Sequence, residues 1–243
     1  MASHSIEKDS ISFNEEIKKI RTNLKFSAIN GDVKVICVTS SLPGEGKSLI
    51  SANLAASFAQ YDERVLLIDC DLRKGRQKKL FNLPTNNDQG LSKLLINKSW
   101  ENEYKNYIKD TKVENLSVIP TGIYPPNPSE LLSHERFANL IEKLRKDYSI
   151  IILDCPPIEG LSDALVVSSL ADTTVLVAKH KSTPMKLLEK SKKSLDKVGS
   201  KLAGVVLNNV DKEPNTYYYG YYKESWLIYI VIYYMGLMME VNL

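Results

Sequence analysis

Two hydrophobic rhythms take turns along this chain. Over 13–29 (FNEEIKKIRTNLKFSAI), Phe13, Ile17, Ile20 and Leu24 recur at helical spacing with charges between them, which predicts an amphipathic helix. The run 33–39 (VKVICVT) is short and β-branched and closes on a Ser/Pro/Gly turn, the pattern of a buried strand. The alternation then repeats: helix 47–60, strand 64–71, helix 90–97, strand 115–121 and a Pro-rich loop at 122–132. Helix 134–147, strand 148–157, helix 161–170, strand 173–179, helix 184–198 and strand 201–209 follow. Apolar strands separated by helices imply an α/β fold, with a mostly parallel central sheet carrying helices on both faces. No internal repeat interrupts the pattern, and no uncharged run before residue 226 is long enough to span a bilayer.

The 243 residues suit one globular domain, and a net charge of +3 gives no argument for a nucleic-acid surface. Cys37, Cys70 and Cys155 are far apart and each lies in an apolar run, which excludes a disulfide scaffold and points to small buried thiols in a reducing cytoplasm. The N-terminus has no apolar core of signal-peptide length. The composition is unusual in one respect: there are 13 Tyr against 5 Phe, and 8 of the tyrosines lie between Tyr217 and Tyr234.

The sharpest chemical signal is SLPGEGKS at 41–48, between a predicted strand and a predicted helix. Gly44 and Gly46, flanked by Pro43 and Glu45, allow successive N–H groups to curl around a phosphate, and the helix starting near Lys47 adds its positive end. Lys47 reaches the outer phosphates in such a loop, and the Ser48 hydroxyl takes a Mg²⁺ position. Ser41 stands where the common pattern has Gly, and is small enough to leave the loop open. Asp154 closes the strand Ile150-Ile151-Ile152-Leu153, at the sheet mouth where ligands bind, and is the natural partner for the metal. Asp69 and Asp71 end the strand VLLI in the run Asp69-Cys70-Asp71-Leu72-Arg73 and point the same way while the strand lasts. They are candidates for metal binding and for accepting a hydroxyl proton, although Asp71 and Arg73 could equally form a surface ion pair.

Together SLPGEGKS, VLLIDCDLR (65–73) and IIILDCPP (150–157) resemble the Walker A, A′ and B motifs of the bacterial tyrosine kinases, P-loop autokinases of capsule and exopolysaccharide synthesis. The likeness extends over about 13–222 and includes IRTNLKFS (20–27), PPNPSELL (125–132) and GVVLN (204–208). It implies a P-loop NTPase-type sandwich of the MinD/ParA kind. It also implies ATP and Mg²⁺ as cofactors, bound by 43–49, Arg73 and Asn208, with Asn208 a possible adenine contact or a plain strand-end residue. Ser48, Asp69 and Asp154 would form the metal environment, and Lys47 with Asp69, Asp71 and Asp154 the catalytic set, the base being either Asp69 or Asp71. Leu49 replaces the family's Thr, which removes one hydroxyl contact and leaves the backbone N–H. Glu15, Lys18 and Arg21 match the family's ring-forming Glu-x-x-Arg-x-x-Arg helix with Lys in the middle position, although an ordinary amphipathic helix carries the same pattern.

Five tyrosines in six positions (Tyr217, Tyr218, Tyr219, Tyr221, Tyr222) resemble the family's autophosphorylated cluster, or else form an aromatic patch. The resulting division is a kinase domain over 1–215, a tyrosine tail over 216–224 and an apolar tail over 225–243. The uncharged run 226–239, shorter than the ~20 residues of a spanning helix, departs from the family. It could lie in a membrane interface, pack on a partner, extend a sheet edge or reflect an altered reading frame. The implied partners are a ring of copies (an octamer in the family's manner), a membrane activator on a separate chain, a cognate phosphatase and other proteins of polysaccharide synthesis, with no nucleic acid. Such a chain would be cytoplasmic, held at the inner membrane face by its activator. The rival is a partition- or division-site ATPase, a nucleotide switch without protein phosphorylation. Against it stand the tyrosine cluster and the stretch Ser41-Leu42-Pro43, which lacks that group's second lysine.

Overall fold

The computed structural model describes residues 2–26, 33–84, 89–210 and 229–233, and side chains at all of these except 2–12 and 229–233. In chain order the elements are α1 (Ala2–Phe26), β1 (Val35–Ser40), α2 (Lys47–Ala59), β2 (Val65–Asp69), α3 (Gln77–Leu80), α4 (Leu91–Ile96), α5 (Trp100–Glu103) and a 3₁₀ turn, Tyr104–Tyr107. Then come β3 (Lys109–Asp110), β4 (Leu116–Ile119), α6 (Pro128–Ser133), α7 (Glu135–Asp147), β5 (Ile150–Asp154), α8 (Asp163–Ser168), β6 (Thr173–Lys179), α9 (Met185–Lys197), β7 (Leu202–Val210) and β8 (Tyr229–Tyr233).

The eight strands form one sheet in the order β3-β4-β2-β5-β1-β6-β7-β8, parallel throughout except for β3 against β4. Successive strand side chains face opposite ways, and the apolar residues of the central strands use both directions. Val35, Cys37, Leu66, Ile68, Ile151 and Leu153 enter a core shared with Leu94 of α4, Phe137 and Leu140 of α7, Val167 of α8 and Leu195 of α9. Ile36, Val38, Val65, Leu67, Ile150 and Ile152 pack on the other face against Ile17, Ile20 and Leu24 of α1 and Leu54 and Phe58 of α2. Burying each such Leu or Ile contributes roughly 1.5–3 kcal/mol, so the sheet is held from both sides.

The expected strand–helix alternation is present, with local differences. The first helix begins at Ala2 rather than at 13 and ends at Phe26. The Pro-rich loop contains α6, with Pro128 in its first turn, where the missing N–H costs nothing. The polar stretch after β2 contains the one-turn helix α3, and two-residue β3 is too short for any periodicity to reveal. β2 stops at Asp69, so Asp71 is not a strand residue and the shared direction of the two carboxylates has another cause, given below. The described part of the apolar tail is β8, which lies parallel to β7 on the sheet edge with Val205 opposite Tyr229. The tyrosine cluster at 217–222 lies outside the described residues.

Candidate active site

Among the described residues, all the candidates except those of α1 collect at the C-terminal ends of β1, β2, β5 and β7, the end of a doubly wound sheet that binds ligands. Register places Asp69 directly beside Asp154, and Asp154 beside Val38 on β1, from which the 41–48 loop departs. Gly44 and Gly46 take left-handed conformations, φ 81° and 95°, so the loop curls before α2 begins. The loop is braced from outside. The Glu45 carboxylate accepts from Leu42 N at 2.8 Å and from the Thr183 hydroxyl, and Asn208 Nδ2 donates to Glu45 O at 2.9 Å. Ser41, the small residue in place of Gly, is buried with its hydroxyl 2.9 Å from that of Ser191 on α9.

Four ionisable groups meet at the mouth of this loop. Lys47 Nζ donates to Asp71 Oδ2 at 3.0 Å and to Ser48 Oγ at 3.3 Å, and lies 4.0 Å from Asp154 Oδ1. Asp71 reaches the site because its Oδ1 accepts from Lys74 N at 2.9 Å, closing a turn just beyond the strand end that swings the carboxylate towards Lys47. Asp69 accepts from Gln77 N at 2.9 Å and from Asp71 N at 3.3 Å. All four side chains are buried, so at full ionisation three carboxylates face one ammonium out of water. Burial, then the neighbouring Asp154 charge, pushes Asp69 up to about 8. Burial raises Asp154 as well, against the opposing pull of Lys47. For Lys47 burial alone would lower the pKa, but Asp154 and Asp71 outweigh it and keep the ammonium charged.

Arg73 is placed differently from either expectation. Its fork grips Asp163 of α8, Nε to Oδ2 at 2.8 Å and Nη2 to Oδ1 at 3.2 Å, and Nη2 also reaches the Ser129 hydroxyl at 3.3 Å. Asp71 is not its ion-pair partner. Arg73 instead ties the DCDLR run to the PPNPSELL loop, and this bond holds the Asp163 carboxyl below the usual range even though burial pushes it upward. Asn208 is buried and its amide nitrogen is committed to the phosphate loop, which it braces. Leu49 is half-buried in the first turn of α2. On α1 the candidate trio divides. Glu15 and Lys18 pair at 2.8 Å on the exposed face, whereas Arg21 turns inward, donates to Ser57 O at 2.8 Å and lies 3.6 Å from the Tyr61 ring centroid.

Sequence reasoning missed Gln77, Asp163, Ser51 and Thr183. Ser51 donates to Lys47 O at 2.8 Å and to Asp154 Oδ1 at 3.4 Å. Each of the four is an isolated polar residue whose partner is distant in sequence or lies under a helix turn, so no local pattern marks it. The three cysteines are buried and unbridged, Cys37 and Cys155 with their sulfurs 3.4 Å apart; contact with Cys155 and then burial push the Cys37 thiol up, and burial pushes up those of Cys70 and Cys155.

A cation fits these residues by their donor chemistry: a loop hydroxyl, hard carboxylate oxygens and an excess of buried negative charge suit Mg²⁺. Among the described residues no three or more His, Cys, Asp or Glu side chains gather into a metal cage. A Mg²⁺ completed by waters and phosphate oxygens needs no such cage.

The fold and this constellation define a P-loop nucleotide-binding protein, and a family model described as an AAA domain matches residues 33–203. The putative tyrosine-protein kinase CapB of Staphylococcus aureus is 40% identical over 222 residues, 91% of this chain and 94% of that protein. The crystal structure of the chimerical protein CapA2B2 superposes with a TM-score of 0.76 at 40% identity, over 82% of this chain and 85% of that one. The cell division ATPase MinD of Pyrococcus furiosus shares the fold alone, with a TM-score of 0.63 at 23% identity over 74% of each chain. The chain belongs to the bacterial tyrosine-protein kinases, and the kinase reading displaces that of a partition or division ATPase.

Proposed function

We propose that this chain is an ATP-dependent tyrosine autokinase that phosphorylates the cluster Tyr217–Tyr222 of a neighbouring copy, and so regulates capsule or exopolysaccharide synthesis. The observation that carries the assignment of roles is the buried set of three carboxylates around Lys47 at the mouth of the phosphate loop. The backbone N–H groups of 44–49 cradle the ATP phosphates, with Pro43 shaping the turn, and Lys47 leaves Asp71 for the outer phosphates. Departure of the ammonium frees Asp71 Oδ2, the oxygen that held it, to accept the proton of the incoming tyrosine hydroxyl. Asp69 is the poorer base, because both its oxygens already accept backbone N–H bonds. Ser48, Asp69 and Asp154 would hold Mg²⁺, which when bound neutralises charge on the phosphate oxygens.

The exposed Glu15–Lys18 face of α1 is available for a ring contact between copies, while Arg21 anchors α1 to α2. Among the described residues no helix is long and apolar enough to cross a membrane, and activation by a membrane protein on a separate chain is the arrangement we favour. Each phosphate added to the cluster brings roughly −1.5 to −2 charge, and several would repel the carboxylate-lined site and release the tail. A ring that persists by light scattering after full phosphorylation would contradict release.

The test of the kinase roles is a mixing experiment with Mg·ATP and the activating segment. A full-length Lys47→Met chain serves as substrate, and a chain with all five cluster tyrosines changed to Phe serves as enzyme. Phosphotyrosine on the Lys47→Met chain, absent from either protein alone, supports transfer between copies. No phosphotyrosine in wild type, with ATP still hydrolysed, would sink the proposal.

A further inference from the structure

We infer that Gln77, which no motif singles out, is a positioning residue for the divalent cation, holding Asp154 with its amide nitrogen and a cation-bound water with its amide oxygen. The inference rests on the cation reading given above. Gln77 is buried at the first position of α3 and bonds to the end of β2, the end of β5 and the phosphate loop. Its backbone N–H donates to Asp69 Oδ2 at 2.9 Å. Its Nε2 donates both to Asp154 Oδ2 at 2.7 Å and to Ser48 O, in the phosphate loop, at 2.9 Å.

Those two acceptors fix the amide's orientation, because a flipped carboxamide would set its oxygen against a carbonyl oxygen and a carboxylate. Oε1 is therefore an acceptor, and it is buried with no hydrogen-bond donor. An orphaned buried acceptor is costly unless something donates to it. It belongs to a residue already bonded to both carboxylates read as the cation's environment, to Asp154 through its side chain and to Asp69 through its backbone N–H. A water polarised by the cation is a strong donor of the right size, and groups that orient a metal's ligands in this way are worth about 10–100-fold in metal affinity. The approach is built in at Gly75, where a Cβ would stand 2.7 Å from Asp69 Oδ2 and 1.8 Å from Thr121 Oγ1, so that only glycine lets the chain fold over Asp69 and deliver Gln77.

The test titrates Mn²⁺ into the full-length chain with saturating ADP, for wild type, Gln77→Met and Gln77→Ala. ADP affinity in EDTA and the thermal midpoint without metal are measured alongside. Methionine keeps the length and removes both hydrogen-bonding ends, whereas alanine leaves room for a water that restores an acceptor. Mn²⁺ affinity should fall about tenfold or more for Met and about threefold for Ala, with ADP affinity in EDTA unchanged. In kinase assays the Mg²⁺ requirement should rise by the same factors, with kcat recovered at saturating Mg²⁺. A packing role predicts the reverse order, Ala worse than Met, and that order overturns the inference. Unchanged Mn²⁺ affinity in Met also overturns it; if the Met variant does not fold, a threefold loss in Ala supports the inference and no loss overturns it. Failure of wild type to bind Mn²⁺ with ADP would overturn the cation reading itself, and this inference with it.

Discussion

The Lys47 ammonium and Asp71 Oδ2 are 3.0 Å apart, with both side chains buried, so removing the ammonium strands the Asp71 carboxylate. Lys47→Met should therefore lower stability by about 3–5 kcal/mol, the cost of breaking a buried pair from one side. Phosphotransfer should fall by at least ~10²-fold, since the phosphates lose a preorganised cation. Adding Asp71→Asn should restore most of the stability and none of the activity. Denaturation midpoints and phosphotyrosine signal on the two variants check both halves.

Asp69 makes the opposite prediction for the ligand-free protein. In the folded chain its carboxyl holds a proton up to about pH 8, whereas the unfolded chain releases it near the ordinary carboxylate value. Folded protein thus binds more protons through that interval, and stability without ligand falls as pH rises from about 4 to about 8. Asp69→Asn carries no charge to suppress. Its thermal midpoint at pH 8 should lie about 2–4 °C above wild type for each kcal/mol recovered, with a flatter pH profile and no kinase activity. Calorimetry across the pH range checks the slope.

What could be read in advance depended on whether the signal was local. The strands of both cores were legible because β1, β2 and β5 are uninterrupted apolar runs, and SLPGEGKS was legible because its glycines and lysine are contiguous. Arg21 could have been placed correctly: it lies four residues after Ile17 and three before Leu24, on the buried stripe of α1, and a resemblance to a ring motif drew it outward. Gln77 and Asp163 carry no such signal. Their partners Asp154 and Arg73 are 77 and 90 residues distant, and only the folded sheet brings each pair together.

Asp172 links the start of β1 to α7 and sets an acid limit on stability. It accepts from Val35 N at 2.7 Å, Lys34 N at 2.9 Å and both ends of the Arg145 fork at 2.8 and 2.9 Å. Burial alone would raise its pKa, but the Arg145 fork and the two amides hold it below the usual carboxylate range. Its contribution is thus present above the unfolded value of about 4 and is lost as pH falls through the depressed folded value. Asp172→Asn should cost about 1–3 kcal/mol at pH 7 and less at pH 3, below the unfolded value, where wild type has begun to lose the same contribution. Urea midpoints at the two pH values decide it.

Gly46 and Asn208 should be energetically coupled. Gly46 has φ 95°, and an added Cβ would stand 2.1 Å from Asn208 Nδ2, the atom that braces the loop through Glu45 O. Gly46→Ala therefore suffers twice, from backbone strain of about 1–2 kcal/mol and from displacing the brace. Asn208→Ala alone loses one hydrogen bond, about 0.5–1.5 kcal/mol, and should weaken ADP binding a few-fold. In the double variant the clash is gone while the strain remains. Its loss of ADP affinity should be smaller than the sum of the single losses by more than the ~0.3–0.5 kcal/mol expected for independent sites. Strict additivity in the four-protein cycle would mean that the loop yields to the methyl group without moving Asn208, and that the brace plays no part in shaping the phosphate site.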